Sequence, residues 1–134
     1  MKTLNDKARD IFCQLIEKMD NSAFLRIENA PLMPIAIENL NQSVSTVFGK
    51  GVTFSLTQYY KENGDIVRYP EMCFIIVDER QTIDDSTELV KIIPYSLEND
   101  LFNLKQESVT IINSATTYVD QKLQFEHKLF ADYW

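Results

Sequence analysis

The chain has 134 residues, of which 45% are hydrophobic and 11% aromatic, a composition typical of one ordered domain rather than of a disordered segment. It contains 13 Lys and Arg against 20 Asp and Glu, so the net charge is −7. Because duplex binding draws on several Lys and Arg side chains at phosphates, this charge argues against direct nucleic-acid binding. We therefore expect a single domain over residues 1–134 that binds no nucleic acid directly.

The charge is unevenly distributed along the chain. Residues 1–50 contain six basic and six acidic residues, whereas residues 51–134 contain seven basic and fourteen acidic residues. An acidic half suits a basic partner surface, including that of a protein that normally holds nucleic acid. The alternative is a solvated surface that only confers solubility.

The two cysteines, Cys13 and Cys73, are isolated among apolar neighbours and form no CxxC motif. This pattern favours buried free thiols in a reducing compartment, and with one histidine it predicts no metal site. The N-terminus has no apolar core of a signal peptide, and no apolar run reaches the roughly 18 residues of a membrane span. We expect a cytoplasmic protein with no membrane contact and no cofactor.

The first predicted element is a helix. Leu4, Ala8, Ile11, Leu15 and Met19 recur at a spacing of three to four residues, and a polar cluster at 20–22 ends the pattern. Five strand patterns follow, at residues 24–28, 35–40, 52–60, 71–78 and 88–95. Residues 96–106 fit no single pattern, and residues 108–112 are an optional last strand.

The connections between these strands are predicted from their turn residues. Residues 42–51 are expected to form a loop, and Asn63-Gly64 to form a tight hairpin turn. The last helix is expected to begin around residues 115–118 and to have one largely apolar face, marked by Val119, Leu123, Glu126, Phe130 and Tyr133. Together these elements predict an α+β fold: an N-terminal helix, an antiparallel sheet of about five strands and a C-terminal helix, with both helices packed on one face.

The sequence offers little for catalysis. His127 is the single histidine, and a Ser-His or Cys-His nucleophile pair requires it, but a lone histidine in a helix more simply predicts a partly exposed residue. No phosphate-binding loop, nucleophile elbow or zinc-protease motif is present in the sequence. We therefore expect no enzyme activity and assign no catalytic residue.

Acidic and aromatic residues are the candidates for partner binding. On a strand Tyr59 and Tyr60 point to opposite faces, so one of them can present its ring to a partner, although packing on the sheet surface is the simpler explanation. The carboxylates of residues 78–88 form either a contact surface or a solvated turn. The candidate partner-binding residues are Tyr59, Tyr69, Asp78, Glu79, Asp84, Asp85 and Glu88.

Several motifs resemble a family of small uncharacterised proteins. They are Gln58-Tyr59-Tyr60-Lys61-Glu62-Asn63-Gly64-Asp65, Pro70-Glu71-Met72-Cys73-Phe74 and the terminal run from Gln121 to Trp134. The resemblance implies a protein carried by conjugative elements and prophages of Firmicutes and Bacteroidetes. Gln58 stands where the family often has His, and Tyr69 where it often has Asp, so any catalytic use of those two residues would be lost here.

Three hypotheses for function follow. The first is a non-catalytic protein-binding module that inhibits a host defence nuclease, of the anti-CRISPR or anti-restriction type, through its acidic surface. The second is an accessory or assembly protein of the mobile element that binds another protein through a sheet face or edge. The third is a small carboxylate-based enzyme, which predicts a concave pocket holding carboxylates of raised pKa.

Overall fold

A computed structural model describes residues 1–28, 33–82 and 84–134 of the chain. The helices are α1 (Asp6–Met19) and α2 (Gln121–Tyr133). The strands are β1 (Phe24–Ile27), β2 (Ile35–Thr46), β3 (Gly49–Glu62), β4 (Asp65–Asp78), β5 (Val90–Asn99), β6 (Leu104–Glu107), β7 (Val109–Ile112) and β8 (Ala115–Val119).

Eight strands in the described residues form one mixed sheet in the order β6-β5-β4-β3-β2-β8-β7, with β1 paired to β2. Strand β8 runs parallel to β2, meeting it at Ser45 and Ala115, and the other pairs are antiparallel. The prediction of an antiparallel sheet of about five strands is therefore wrong. The α+β description is replaced by a large sheet with one helix at each end of the chain.

The first source of this error is residues 42–51, which were expected to be a loop. Strand β2 instead passes through a bulge between Asn39 and Ser43 and continues to Thr46. A two-residue turn at Val47 and Phe48 leads directly into β3. In this stretch of β2 only Val44 is buried, so its polar neighbours gave the sequence the appearance of a loop.

The second source of error is the start of the last helix. Residues 115–119 form β8, because Asn113 and Ser114 take the left-handed backbone conformation, with φ of 53° and 60°, and turn the chain back along β7. The Asp120 side chain then accepts a hydrogen bond from the backbone N–H of Leu123 at 3.1 Å and caps α2. The helix therefore begins at Gln121.

The first helix forms as its spacing predicts. The Asn5 side chain caps α1 by accepting a hydrogen bond from the Ala8 N–H at 2.9 Å. The helix ends where Asp20 takes a left-handed conformation with φ of 47°. Its buried face carries Phe12, Cys13 and Met19.

The sheet has a separate apolar core on each face. The first, here the helix-side core, lies under α1 and includes Phe12, Ile37, Met72, Phe74 and Ile92. The second, here the curl core, lies on the opposite face where the sheet bends over itself; its buried members are Val44, Ile75, Val77, Ile93 and Val109. A hydrogen bond of 2.8 Å from Ser108 N to the carbonyl of Tyr95 continues the pairing of β5 with β6 up to the start of β7.

Helix α2 does not simply lie beside α1 on the sheet face. Its buried residues Gln124 and His127 reach the edge formed by β5, β6 and the start of β7, and Ala131 in its last turn joins the helix-side core. No helix in the described ranges is long and apolar enough to span a lipid bilayer.

Candidate functional site: an open groove and an acidic loop

The curl core covers only one end of the sheet face on which it lies. At the other end this face forms a groove of about 260 Å³ across β1 to β4. This groove, here the sheet groove, is lined by Phe24, Ala36, Glu38, Leu40, Ser55, Thr57, Tyr59, Ile66, Arg68 and Glu71. The strand register places Tyr59 opposite Arg68 and Thr57 opposite Glu71, which brings distant residues together on one face.

Large apolar side chains stand exposed around the sheet groove. Phe24, Leu40 and Ile66 expose 52%, 40% and 61% of their surface. Between them lies the half-buried ring of Tyr59, with the guanidinium carbon of Arg26 5.9 Å from its centroid. Clustered exposed apolar side chains of this kind mark contact surfaces, whereas single ones do not.

The charged end of the groove is built around Arg68. Its guanidinium lies 2.8 Å from a carboxylate oxygen of Glu98 and makes two contacts with Asp100, at 3.1 and 3.2 Å. The hydrogen bonds from Arg68 lower the pKa of Asp100, and those same bonds raise the pKa of Arg68. A carboxylate oxygen of Glu71 lies 3.6 Å from the same guanidinium, and Glu38 also lines the groove, so the carboxylates around Arg68 and in the groove outnumber its single positive charge.

The candidate residue Tyr69 lies near the groove without lining it. Its ring is half-buried, with its centroid 6.1 Å from that of Phe102 in the turn between β5 and β6. Of the two tyrosines proposed for partner binding, the groove therefore contains Tyr59 alone within the described parts of the chain.

The acidic loop, described here over residues 78–82 and 84–88, is held in shape by two of its carboxylates. Asp78 pairs with Arg80 at 2.9 Å; burial opposes ionisation of Asp78, but the hydrogen bonds from Arg80 outweigh it, and the pKa is lowered. Asp85 accepts hydrogen bonds from the N–H groups of Gln81 and Thr82, which lower its pKa. These two residues have structural roles in the loop.

The other three acidic candidates, Glu79, Asp84 and Glu88, are exposed. They lie at the opposite end of β4 from the groove, and the ten residue-to-residue steps from Arg68 to Asp78 span about 30 Å at the usual rise of a strand. Apart from Tyr69, the predicted partner-binding residues therefore occupy two separate surfaces, the sheet groove and the acidic loop, and one small contact patch does not include both.

The prediction of a partly exposed His127 is wrong. Its side chain is buried, with Nδ1 2.8 Å from Ser108 Oγ and Nε2 3.1 Å from Gln106 Oε1. Because an amide oxygen only accepts, Nε2 carries the proton and Nδ1 accepts from the Ser108 hydroxyl. Burial lowers the pKa of His127.

The largely apolar face that the spacing predicts for α2 is not the face that is buried. Phe130 and Tyr133 are 44% and 87% exposed, while Gln124, His127 and Ala131 are buried. The spacing of residues 124, 127 and 131 is that of one helix face, so it could have indicated the buried face of α2. Because Gln124 and His127 are polar, the apolar pattern of the sequence does not show it. Gln124 is satisfied by the backbone of Lys2, with contacts of 2.7 Å to both its N–H and its carbonyl.

Both cysteines are free thiols, Cys13 buried and Cys73 half-buried. Burial raises the pKa of each, which keeps the thiols protonated and weakly nucleophilic. In the ranges that the structure describes, no group of three or more His, Cys, Asp or Glu side chains is arranged to hold a metal ion.

Residues 8–134 match a family described as a domain of unknown function, DUF6908. No curated protein and no solved structure matches the chain. The chain therefore belongs to the DUF6908 family, and the resemblance to a family of uncharacterised proteins is confirmed. Carriage by conjugative elements or prophages stays a prediction.

Proposed function

We propose that this DUF6908 protein is a non-catalytic protein-binding module whose contact surface is the sheet groove. One observation carries the proposal: a sheet face that is covered at one end is open at the other, where Phe24, Leu40 and Ile66 are all at least 40% exposed. Water contact with these side chains is unfavourable, and burial against a partner relieves it.

The chemistry of the groove defines the partner. An apolar side chain fits between Phe24 and Ile66 against the ring of Tyr59, since tyrosine is enriched at the centres of interfaces. The carboxylate of Glu38 favours a Lys or Arg next to that side chain, because complementary charge increases the association rate and specificity, whereas Glu71 already contacts Arg68. The proposed partner is a protein segment with an exposed apolar residue flanked by basic residues.

Two features support a non-catalytic role. The Ser108 and His127 side chains form a hydrogen-bonded pair, but each residue is only 1% exposed, so a substrate has no access to the hydroxyl. The carboxylates with shifted pKa in the described residues, Asp10, Asp78, Asp85 and Asp100, are all shifted down. A general acid needs the opposite shift.

The acidic loop favours a second candidate function. Glu79, Asp84 and Glu88 are exposed at one end of the molecule and suit Lys and Arg that normally hold phosphate. In this version the protein is encoded by a mobile element, acts in the reducing cytoplasm and inhibits a nuclease of host defence by occluding its basic surface. If this protein is instead an accessory protein of the element, with no role against host defence, it contacts its partner through the sheet groove.

Affinity capture from a lysate of a Bacteroidetes bacterium separates the two functions. Wild-type protein is compared with Ile66→Lys in the groove, Ile112→Lys as a matched exposed isoleucine on β7, and the loop variant Asp84→Asn/Glu88→Gln. Ile66 and Ile112 are 61% and 53% exposed, so the two substitutions are similar in kind.

The proposal predicts that a specific partner is retained by Ile112→Lys and by the loop variant and is lost from Ile66→Lys. A partner that Ile66→Lys retains contradicts the groove as the contact surface. A partner that is lost only from the loop variant, and at high salt, supports the second candidate instead, because salt screens exposed charges.

A further inference from the structure

Helix α2 presents a second apolar surface to solvent, separate from the sheet groove. Phe125, Leu129 and Tyr133 recur at every fourth residue, so they form one stripe along the helix, and they are 44%, 41% and 87% exposed. Phe130 stands beside the stripe and is 44% exposed. The half-exposed Ile11 of α1 lines the same opening between the helices as Tyr133. These five residues are here called the helix patch.

The helix patch is large enough to form an interface. Because a fully buried Phe or Tyr side chain removes about 150–250 Å² from water, the exposed fractions of the five residues correspond to roughly 500 Å². Two copies that cover this surface on each other bury roughly 1,000 Å² in total, which is the lower limit for a specific interface. Single exposed apolar residues need no partner, whereas a continuous patch of this size indicates one.

The charges at the border of the helix patch suit a second copy of the chain. The patch itself is uncharged, and its border includes Lys2, Lys7, Lys122 and Glu126. The net charge of −7 therefore lies mainly on other parts of the molecule and does not oppose contact between two copies here. Interfaces between identical subunits are also the more apolar class, with few charges and many aromatic residues at their centre.

The stripe on α2 is symmetrical, with Leu129 at its centre and an aromatic residue one turn away on either side. From this symmetry and the size of the helix patch, we infer that two copies of this chain form a two-fold dimer in which their α2 helices pack antiparallel. Leu129 then meets its own equivalent, and Phe125 of each copy meets Tyr133 of the other in an aromatic pair. Lys122 comes beside the last turn of the other helix, whose carbonyl groups attract a cation.

This dimer does not depend on the proposed function. The described residues that line the sheet groove come from β1 to β4, and none of them belongs to α1 or α2. Ile66→Lys, which changes the groove, is therefore a matched control for a lysine placed in the helix patch.

Sedimentation velocity of the purified protein tests the inference. Because the buried area is at the lower end for a specific contact, we expect a dimer that dissociates on dilution between about 300 µM and about 1 µM. Leu129→Lys brings two like charges together at the two-fold axis and should weaken the dimer by about tenfold or more. Ile66→Lys should leave the dimer unchanged. Tyr133→Lys, at a position that is 87% exposed, serves the same purpose if Leu129→Lys does not fold.

Cross-linking tests the position of the axis without adding a charge. In Leu129→Cys the new thiols of the two copies face each other, so oxidised glutathione should yield a disulfide-linked dimer on a non-reducing gel. Ile66→Cys is an exposed control away from α2, and should form such a dimer about tenfold more slowly or not at all.

Three results would overturn the inference. The first is a wild-type protein that remains monomeric at about 300 µM. The second is a dimer that the folded Leu129→Lys or Tyr133→Lys variant forms with wild-type affinity, because the copies would then meet on another surface. The third is equal cross-linking of Leu129→Cys and Ile66→Cys.

Discussion

The imidazole of His127 is hydrogen-bonded through both nitrogens in the edge that joins β6, β7 and α2. Burial disfavours its charged form and lowers its pKa below the ordinary value of 6.5. In the unfolded chain the imidazole binds a proton below that value, so the unfolded state carries more protons than the folded state. The contribution of the neutral imidazole to stability is therefore fully present above about pH 6.5 and is lost as the pH falls from that value toward the lowered pKa of the folded state.

We predict that the free energy of unfolding of the wild-type protein decreases from pH 7.5 to pH 5.5 and that this decrease disappears in His127→Gln. Since the chain has one histidine, no other histidine contributes in this interval. Urea denaturation of each protein at both pH values measures how much its free energy of unfolding changes with pH. This comparison does not depend on how much stability the substitution itself removes. An equal decrease in the variant would show that His127 is not buried in its neutral form.

Gly51 is buried in β3, with no room for a side chain. A Cβ atom at this position would lie 2.6 Å from Ile75 Cγ2 and 2.9 Å from the backbone oxygen of Ile76. We predict that Gly51→Ala destabilises the protein by about 1–3 kcal/mol, because the sheet backbone must move to admit the methyl group. Denaturant unfolding of the purified variant measures this loss.

Gly64→Ala is the control for that substitution. At Gly64 no atom lies within 4 Å of the added Cβ, and the cost comes only from the positive φ of 86°. We expect a loss near 1 kcal/mol, smaller than that of Gly51→Ala. A larger loss of stability in Gly64→Ala than in Gly51→Ala would mean that β3 and β4 are packed differently from the arrangement described.

At the level of elements, the N-terminal cap of α2 determines where strand β8 ends and the helix begins. Asp120 closes β8 and supplies the side chain that holds the first turn of α2. We predict that Asp120→Ala costs about 1 kcal/mol of stability. Gln121→Ala, one residue further at an exposed position, should change stability by less than about 0.5 kcal/mol. A comparison of the two in thermal or urea unfolding tests the helix start at residue 121.

How far the sequence predicts this fold depends on which element is considered. Helix α1 and the centres of β3 and β4 are predictable, because their apolar periodicity is set by burial against one core. The extension of β2 to Thr46 and the strand at Ala115–Val119 are not, because their neighbours are polar and their pairing depends on strands far away in the chain. Long-range pairing leaves no local pattern.

The site is less predictable from the sequence than the fold. Tyr59 was identified because adjacent tyrosines on a strand point to opposite faces, and it does line the sheet groove. Phe24, Leu40 and Ile66 were missed as site residues, since each looks like an ordinary apolar strand residue until four strands are aligned. Only the register between β1, β2, β3 and β4 brings them to one surface.

At the level of the whole molecule, the sheet groove and the acidic loop lie at opposite ends of the long strands. Because Ile66 and Ile112 are both exposed, replacing either with Lys should change the free energy of unfolding by less than about 1 kcal/mol. Matched unfolding curves would confirm that a binding defect in Ile66→Lys is not a folding defect. A large loss of stability in Ile66→Lys alone would show that its side chain is buried in solution.

Selection of peptides from a random display library on the immobilised protein tests the groove most directly, because it needs no knowledge of the natural partner. The selected peptides should combine an aromatic or aliphatic residue with an adjacent Lys or Arg. They should bind wild type and Ile112→Lys equally and lose at least tenfold in affinity on Ile66→Lys. Peptides that bind Ile66→Lys as tightly as wild type would contradict the assignment of the open end of the sheet as the binding surface.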